Sequence, residues 1–509
     1  MASKVLLVYP PSRTQEHESC PGALTMLGAV LEQNGHSVRL LDANATARKL
    51  TSEDIARIAR EERPDVIGVT LVTPLVREAY RMASLLRGSG ARLLAGGPHA
   101  TLLPEEPLEH GFDAVVVGEG EPTIFEAVEA LDGRLPKEGV AGWVYRDDRG
   151  GVSRGPPRPP IADLDALPAP ARHLVNPAHY GGSEDAALHM NLFSSRGCPA
   201  KCAYCAGGLF GRRFRFRSAG SVLREMVDVH RRYGTRHFHF MDDAMTVNRE
   251  RMLEICTGLR EGGLGLTWSM MTRVDRVDED LLRVMARAGC VQIDYGIESG
   301  HPETLKRIHK PHDVARARGM VEATRQSGID PCVFFILGFP WDTVESIEET
   351  ERFMLELAPF VARFHPAIAS VLIPFPGTEI YEKHEAEHGL TGWWLDHARS
   401  YDAPDRRRHA YYQTELFTRG AVLDADFFHY APAVRRKIED VFELMWLHNL
   451  RKAPWPLRSA KRVMLETSRV LHRRSPALER AMFGALGSGA RAARRWTRRS
   501  ASEASAANQ

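Results

Sequence analysis

The chain has 509 residues, 43% of them hydrophobic and 26% charged, which is ordinary for a globular protein and long enough for two or three domains. Its apolar runs, such as 5–9 and 333–337, are strand-length, so no transmembrane helix is expected; no signal-peptide apolar region follows the first four residues. Seven cysteines, three of them clustered, argue against a disulfide scaffold and for a reducing, cytoplasmic setting. The net charge of +2 hides an asymmetry: residues 451–509 hold 14 Lys/Arg against 3 Asp/Glu, leaving −9 on the rest.

Within residues 1–140, apolar runs at 4–9, 37–42, 65–71, 91–95 and 113–117 alternate with helical patterns at 23–34, 52–61, 76–86 and 122–131 and a turn-rich piece near 104–109. That alternation predicts a parallel, doubly wound sheet, whose ligand site lies beyond the carboxyl ends of its strands. Two loops there, Gly96-Gly97-Pro98-His99-Ala100-Thr101 and Gly118-Glu119-Gly120-Glu121, are glycine-rich and admit close backbone approach to a ligand. Residues 141–188, with Arg154-Gly155-Pro156-Pro157-Arg158-Pro159-Pro160 and Leu167-Pro168-Ala169-Pro170, read as a proline-stiffened tether.

The third segment, 189–400, begins with a strand leading into Ser194-Ser195-Arg196-Gly197-Cys198-Pro199-Ala200-Lys201-Cys202-Ala203-Tyr204-Cys205. Three thiolates so close in sequence can converge on one metal centre, zinc or iron–sulfur. A structural zinc needs four ligands, and Cys20, Cys256, Cys290 and Cys332 stand alone. Three thiolates suit a four-iron cluster with one iron left open; three incidental cysteines, or a zinc site completed by a distant histidine, are the alternatives. Strands at 237–241, 266–270, 292–297, 332–337 and 367–373 alternate with helices at 221–233, 249–261, 278–288, 314–327 and 344–357, giving a partial parallel barrel. Polar groups fall at the strand ends: Asp242-Asp243, Arg273, Glu298-Ser299 and Gly338-Phe339-Pro340. The remaining single cysteines read as buried and inert, Cys20 excepted, which sits in a ligand-face loop. Residues 401–490 read as helical, including 434–450. A basic amphipathic stretch there, with Leu457, Met464 and Leu471 in heptad spacing, suits an anionic membrane, an acidic partner or the protein's own body. Residues 491–509 read as a disordered tail.

Cys198-x3-Cys202-x2-Cys205, with Tyr204 before the last cysteine, resembles the cluster motif of the radical S-adenosylmethionine (SAM) superfamily. The loops of the first segment, with Tyr9-Pro10-Pro11-Ser12 and Gly35-His36-Ser37-Val38, resemble the cobalamin-binding domain that precedes many radical SAM domains. The combined resemblance, over about residues 1–390, is to class B radical SAM methyltransferases. It implies that Cys198, Cys202 and Cys205 hold a [4Fe–4S] cluster. It implies SAM contacts at Tyr204, Asp242, Asp243, Arg273, Glu298, Ser299 and Gly338, and cobalamin contacts at Pro10, Ser12, Thr70, Gly96, Gly97, His99, Gly118 and Glu119. The chain departs from the wider cobalamin pattern in one respect. Asp42-Ala43-Asn44-Ala45-Thr46-Ala47 replaces the Asp-x-His-x-x-Gly motif, so this loop offers no imidazole to the lower face of cobalt.

The activity implied is reductive cleavage of SAM followed by methylation of an unactivated carbon, or of phosphorus, in a small metabolite, with an electron donor such as flavodoxin or ferredoxin. Two alternatives stand beside it: ring formation or oxidation without methyl transfer, and a non-catalytic cobalamin- or cluster-binding module. A nucleic-acid substrate is not expected, since the additional cysteine triad of the tRNA methylthiotransferases is absent.

Overall fold

The structure, a computed structural model, describes residues 2–12, 17, 19–180, 189–207, 209, 211–364, 371–395, 426–449 and 451, with 463 and 467 as isolated positions. In the first domain the strands are β1 (Lys4–Tyr9), β2 (Ser37–Asp42), β3 (Val66–Thr70), β4 (Arg92–Gly96) and β5 (Ala114–Val116), all parallel, in the order β2-β1-β3-β4-β5. Successive residues of β1 supply two different cores, as the two-residue period of a strand requires. Leu6 and Val8 pack with Ile55, Ala59, Val76 and Ala83 of helices Ser52–Glu62 and Val76–Leu86. Val5 and Leu7 pack with Leu24, Leu31, Ile124 and Val128 of helices Gly22–Gln33 and Glu121–Leu131 on the other face. Burial on both faces is why these strands read as continuous apolar runs.

The first sheet extends further than the sequence pattern indicated. β6 (Trp143–Arg146) pairs antiparallel with β5, and β7 (Val152–Arg154) pairs with β6. The expected tether from residue 141 is therefore corrected: its first part is a hairpin that closes the sheet edge. The turn is set by Asp147, whose Oδ1 accepts the N–H groups of Arg149 (2.9 Å) and Gly151 (2.8 Å). Trp143 and Tyr145, both buried, stack at 4.7 Å.

The second domain contains six parallel strands, β8 (His189–Leu192), β11 (His237–Phe240), β12 (Thr267–Arg273), β13 (Cys290–Glu298), β14 (Asp330–Phe335) and β15 (Arg363–Phe364), in the order β15-β14-β13-β12-β11-β8. A two-stranded hairpin, β9 (Ser195–Arg196) with β10 (Arg215–Phe216), follows β8. Each intervening helix opens on a polar cap that accepts a backbone N–H: Ser218, Asn248, Asp278, His301, Asp313 and Thr343. The strand expected at 367–373 lies mostly outside the described residues; within them, Val371 makes a parallel bridge to Leu337. Helix Pro432–Asn449 covers the sheet edge. Asn449 accepts from the Phe364 N–H (3.0 Å) and donates to its carbonyl (2.6 Å), satisfying groups that an open edge would leave unpaired. Residues 450 and 452–462, most of the basic amphipathic stretch and the tail at 491–509 lie outside the described residues.

Candidate active site

The three clustered cysteines sit on a loop whose base is locked by glycine. Gly197 has φ +81°, and a Cβ there would lie 2.5 Å from the Arg213 carbonyl oxygen and 2.9 Å from that of Gly211, so no other residue fits the crossing beneath the β9–β10 hairpin. The loop is pinned again at buried Ala203, which donates to the Ile308 carbonyl and accepts from Ile380 N–H, both at 3.1 Å. Cys198 and Cys202 are half-buried and Cys205 is exposed. Protein around the sulfurs nevertheless pushes the Cys198 thiol up, and that of Cys205 to about 11, mainly by desolvation. Cys198 and Cys205 therefore hold their protons as free thiols near neutral pH, and metal loading would release them. The Arg273 guanidinium lies 3.7 Å from Cys202 Sγ and is forked onto Asp275 at 2.9 and 2.7 Å, at the end of β12 where the sequence placed it.

At the end of β13, Glu298 adopts a left-handed backbone (φ +69°), rare for a non-glycine residue and costing on the order of 1 kcal/mol or more. Its buried Oε1 accepts from Tyr204 Oη (2.8 Å) and Lys310 Nζ (2.6 Å), and Lys310 Nζ also reaches Tyr204 Oη at 3.3 Å. Sequence reasoning paired Tyr204 and Glu298 with SAM but missed Lys310. It also missed His312, whose two ring nitrogens are buried without a hydrogen-bond partner among the described residues. Burial, with Lys310 next, lowers the His312 pKa to about 4. The only signal was the run His309-Lys310-Pro311-His312 after the fourth strand-end motif. Its charged neighbours are Lys310, Asp275, Glu298 and Arg273, so the unsatisfied imidazole lies in the same polar cluster as Arg273.

Two expected SAM contacts are corrected by their partners. Asp242 is buried, and its carboxylate accepts from Ser194 N–H (2.7 Å), from the Ser194 hydroxyl and from the Ser195 hydroxyl (2.8 Å). It therefore ties the ends of β8 and β11 together instead of facing outward, and burial raises its pKa. Ser299 Oγ is taken by Thr350 (3.0 Å) and by the His301 N–H (3.0 Å). Asp243, the next acid, does face a cavity, and desolvation followed by repulsion from Asp242 raises its pKa. Gly338 (φ +81°) lies under Tyr430, whose hydroxyl donates to the Gly338 carbonyl at 2.5 Å. Asp342 holds the loop by accepting from Gly338 N–H (2.9 Å) and Phe339 N–H (3.0 Å).

The cavity, about 330 Å³, opens between the two domains. From the first domain come Thr70, Gly96, Gly97, Gly118 and Glu119; from the second come Asn191, Ser195, Met241 and Asp243. Gly97 (φ +93°) admits no Cβ, which would lie 2.6 Å from Thr70 Oγ1, and Gly118 has φ +84°. Glycines and apolar side chains such as Leu7, Leu27, Val116 and Ile124 give the cavity a mostly apolar wall with close backbone approach, the character of a cofactor cradle. Glu119 lines it, but its carboxylate is engaged by Arg215 (2.9 Å twice), Arg196 (3.2 Å) and Ile161 N–H (2.6 Å), which clasp the domains.

Pro10, Ser12 and His99 are not brought to this cavity. The Pro10 carbonyl and the Ser12 N–H are both bonded to Asn44 (2.9 and 2.7 Å), and His99 is buried between Thr73 (3.1 Å) and Glu106 (2.9 Å).

A profile for the Radical SAM superfamily matches residues 192–354, and one for the B12 binding domain matches residues 14–128. The uncharacterized methyltransferase PH0819 of Pyrococcus horikoshii is 31% identical over 466 residues, 87% of this chain and 99% of that one. Cytidylyl-2-hydroxyethylphosphonate methyltransferase of Streptomyces wedmorensis is 30% identical over 406 residues, 68% of this chain and 76% of that one. The fold is also that of the cobalamin-dependent S-adenosylmethionine radical enzyme OxsB with aqua-cobalamin bound (TM-score 0.66, 15% identity, 98% of this chain and 81% of that chain). With both profiles matched in order and a relative aligned along nearly its full length, the chain belongs to the radical SAM enzymes that carry an N-terminal cobalamin-binding domain.

Proposed function

We propose that the protein methylates an unactivated carbon, or phosphorus, of a small metabolite, using SAM, a [4Fe–4S] cluster and cobalamin. The observation that supports this reading is the shared cavity: the glycine-rich strand ends of the first domain and Asp243 of the second line the same space. Cys198, Cys202 and Cys205 would hold the cluster, a soft donor set suited to iron–sulfur ligation. When bound, these cofactors supply a hydrogen-abstracting radical and a transferable methyl group; the chain's residues position them and exclude water. Arg273, presented beside Cys202, offers a guanidinium to a SAM carboxylate. Neutral His312 offers a ring nitrogen at the same site, and Asp243 accepts from a cationic group at the cavity wall. Thr70, Gly96, Gly97 and Gly118 line the cobalamin side.

The chemistry requires a one-electron donor such as flavodoxin or ferredoxin and a reducing compartment, which supports a cytoplasmic location. Among the described residues no helix is long and apolar enough to cross a membrane. The basic excess at 451–509 supports contact with an anionic membrane or an acidic carrier protein.

The test is anaerobic incubation of reconstituted protein with SAM, reductant and hydroxocobalamin, quantifying 5′-deoxyadenosine and S-adenosylhomocysteine together. Both products are expected, the second only when cobalamin is supplied. Deoxyadenosine alone, with or without cobalamin, would favour ring formation or oxidation.

A further inference from the structure

Helix Glu379–His388 ends in His384-Glu385-Ala386-Glu387-His388. The two histidines are four residues apart, one above the other on the same helix face. One ligand atom from each of His384, Glu387 and His388 lies within 4.8 Å of the others. Glu387 Oε2 is 4.0 Å from His384 Nδ1 and 3.7 Å from His388 Nε2. His384 Nδ1 is buried and has no hydrogen-bond partner among the described residues, an arrangement that costs free energy unless something fills it. Phe428 packs its ring against both imidazoles, at 5.9 and 5.2 Å, and limits competition from water on that side. His429 follows in a left-handed conformation (φ +55°) with its ring centroid 6.1 Å from that of His388.

We propose that His384, Glu387 and His388 bind one zinc-type divalent ion, with His429 placed to complete a four-coordinate set. Two or three imidazoles and one carboxylate are borderline-hard donors that suit zinc, unlike the thiolate set of the cysteine loop. The separations exceed those of a metallated site; closing them takes rotation of exposed Glu387 together with a shift of the imidazoles toward one another. The spacing also matches that of hydrolytic zinc helices. Here, however, Glu385 accepts from Thr391 Oγ1 (2.7 Å) and Phe428 covers the histidines, so the site is a brace and not a hydrolytic centre. What it braces is the segment Phe428-His429-Tyr430, whose Tyr430 hydroxyl holds the Gly338 carbonyl beside the fifth strand end of the barrel.

The experiment uses full-length protein reconstituted with iron, sulfide and cobalamin, incubated with zinc sulfate and desalted. Zinc, iron and cobalt are then counted, and zinc K-edge absorption is recorded. About one zinc per chain with a nitrogen/oxygen shell and no sulfur is expected. H384Q/H388Q should weaken zinc retention by roughly tenfold or more with iron and cobalt counts unchanged. The triple alanine variant of Cys198, Cys202 and Cys205 should keep its zinc. If the double variant also loses iron, exposed Glu387→Gln decides, with weakened retention expected and unchanged retention contradicting the assignment. A sulfur shell, zinc lost with the cysteines, equal retention in wild type and H384Q/H388Q, or no zinc in wild type would each overturn it.

Discussion

Glu298 shows how much of the site rests on single side chains. It is buried in a backbone conformation that disfavours its residue type, and it survives because Lys310 and Tyr204 both donate to Oε1. Removing the cation leaves a buried charge without its counter-ion, a loss of about 3–5 kcal/mol, whereas removing one neutral donor costs about 1 kcal/mol. Lys310→Met should therefore lower the denaturation midpoint several times more than Tyr204→Phe. Equal shifts would mean that Lys310 is not the group that stabilises Glu298. The cysteine triplet was legible in the sequence because its chemistry is local, three thiols within eight residues. Lys310 was not, because its value comes from meeting a tyrosine 106 residues away. Asp242 was misread for a related reason: a strand-end acid looks the same in sequence whether it faces a ligand or, as here, Ser194 and Ser195.

At the scale of elements, the loop after β14 is organised by a half-buried acid. Asp342 accepts from two backbone N–H groups, yet desolvation outweighs them and raises its pKa to about 6. A carboxyl whose folded value lies above its unfolded value near 4 contributes stability below pH 4, and that contribution is lost as pH rises through 6. The wild type should thus lose on the order of 3 kcal/mol relative to Asp342→Asn between pH 4 and pH 7, read from tryptophan emission during denaturant unfolding. A pH-independent difference would contradict the shift. The parallel strands were legible from their apolar runs. The β6–β7 hairpin was not, although Asp147-Asp148-Arg149-Gly150-Gly151 is a turn signal: its strands are four and three residues long, too short for a period-two pattern to stand out beside the prolines that follow.

At the scale of the whole molecule, the cavity exists because the domains are clasped. Glu119 and Glu121 of the first domain meet Arg196 and Arg215 of the second, with Arg172 of the connecting segment on Glu225. Glu119→Ala takes a buried carboxylate from two arginines at once. It should cost about 3–5 kcal/mol and lower the cobalamin retained on desalting, while the cluster's iron count holds. Loss of both cofactors together would mean that Glu119 supports the cysteine loop itself. None of these pairings was readable from sequence, since each joins residues at least 53 positions apart in different segments of the chain.

Asp243 joins the cobalamin cradle to the cysteine loop: it lines the cavity and lies close enough to Cys198 and Cys205 to perturb both thiols, so the two cofactors should sit within spin-coupling reach. The most direct test is electron paramagnetic resonance of protein loaded with cob(II)alamin, recorded before and after one-electron reduction of the cluster. On this account, reduction should broaden the cob(II)alamin signal and speed its relaxation through spin–spin coupling, an effect lost in the alanine variant of Cys198, Cys202 and Cys205. A cob(II)alamin spectrum unchanged by cluster reduction would place the two cofactors apart and contradict the shared site.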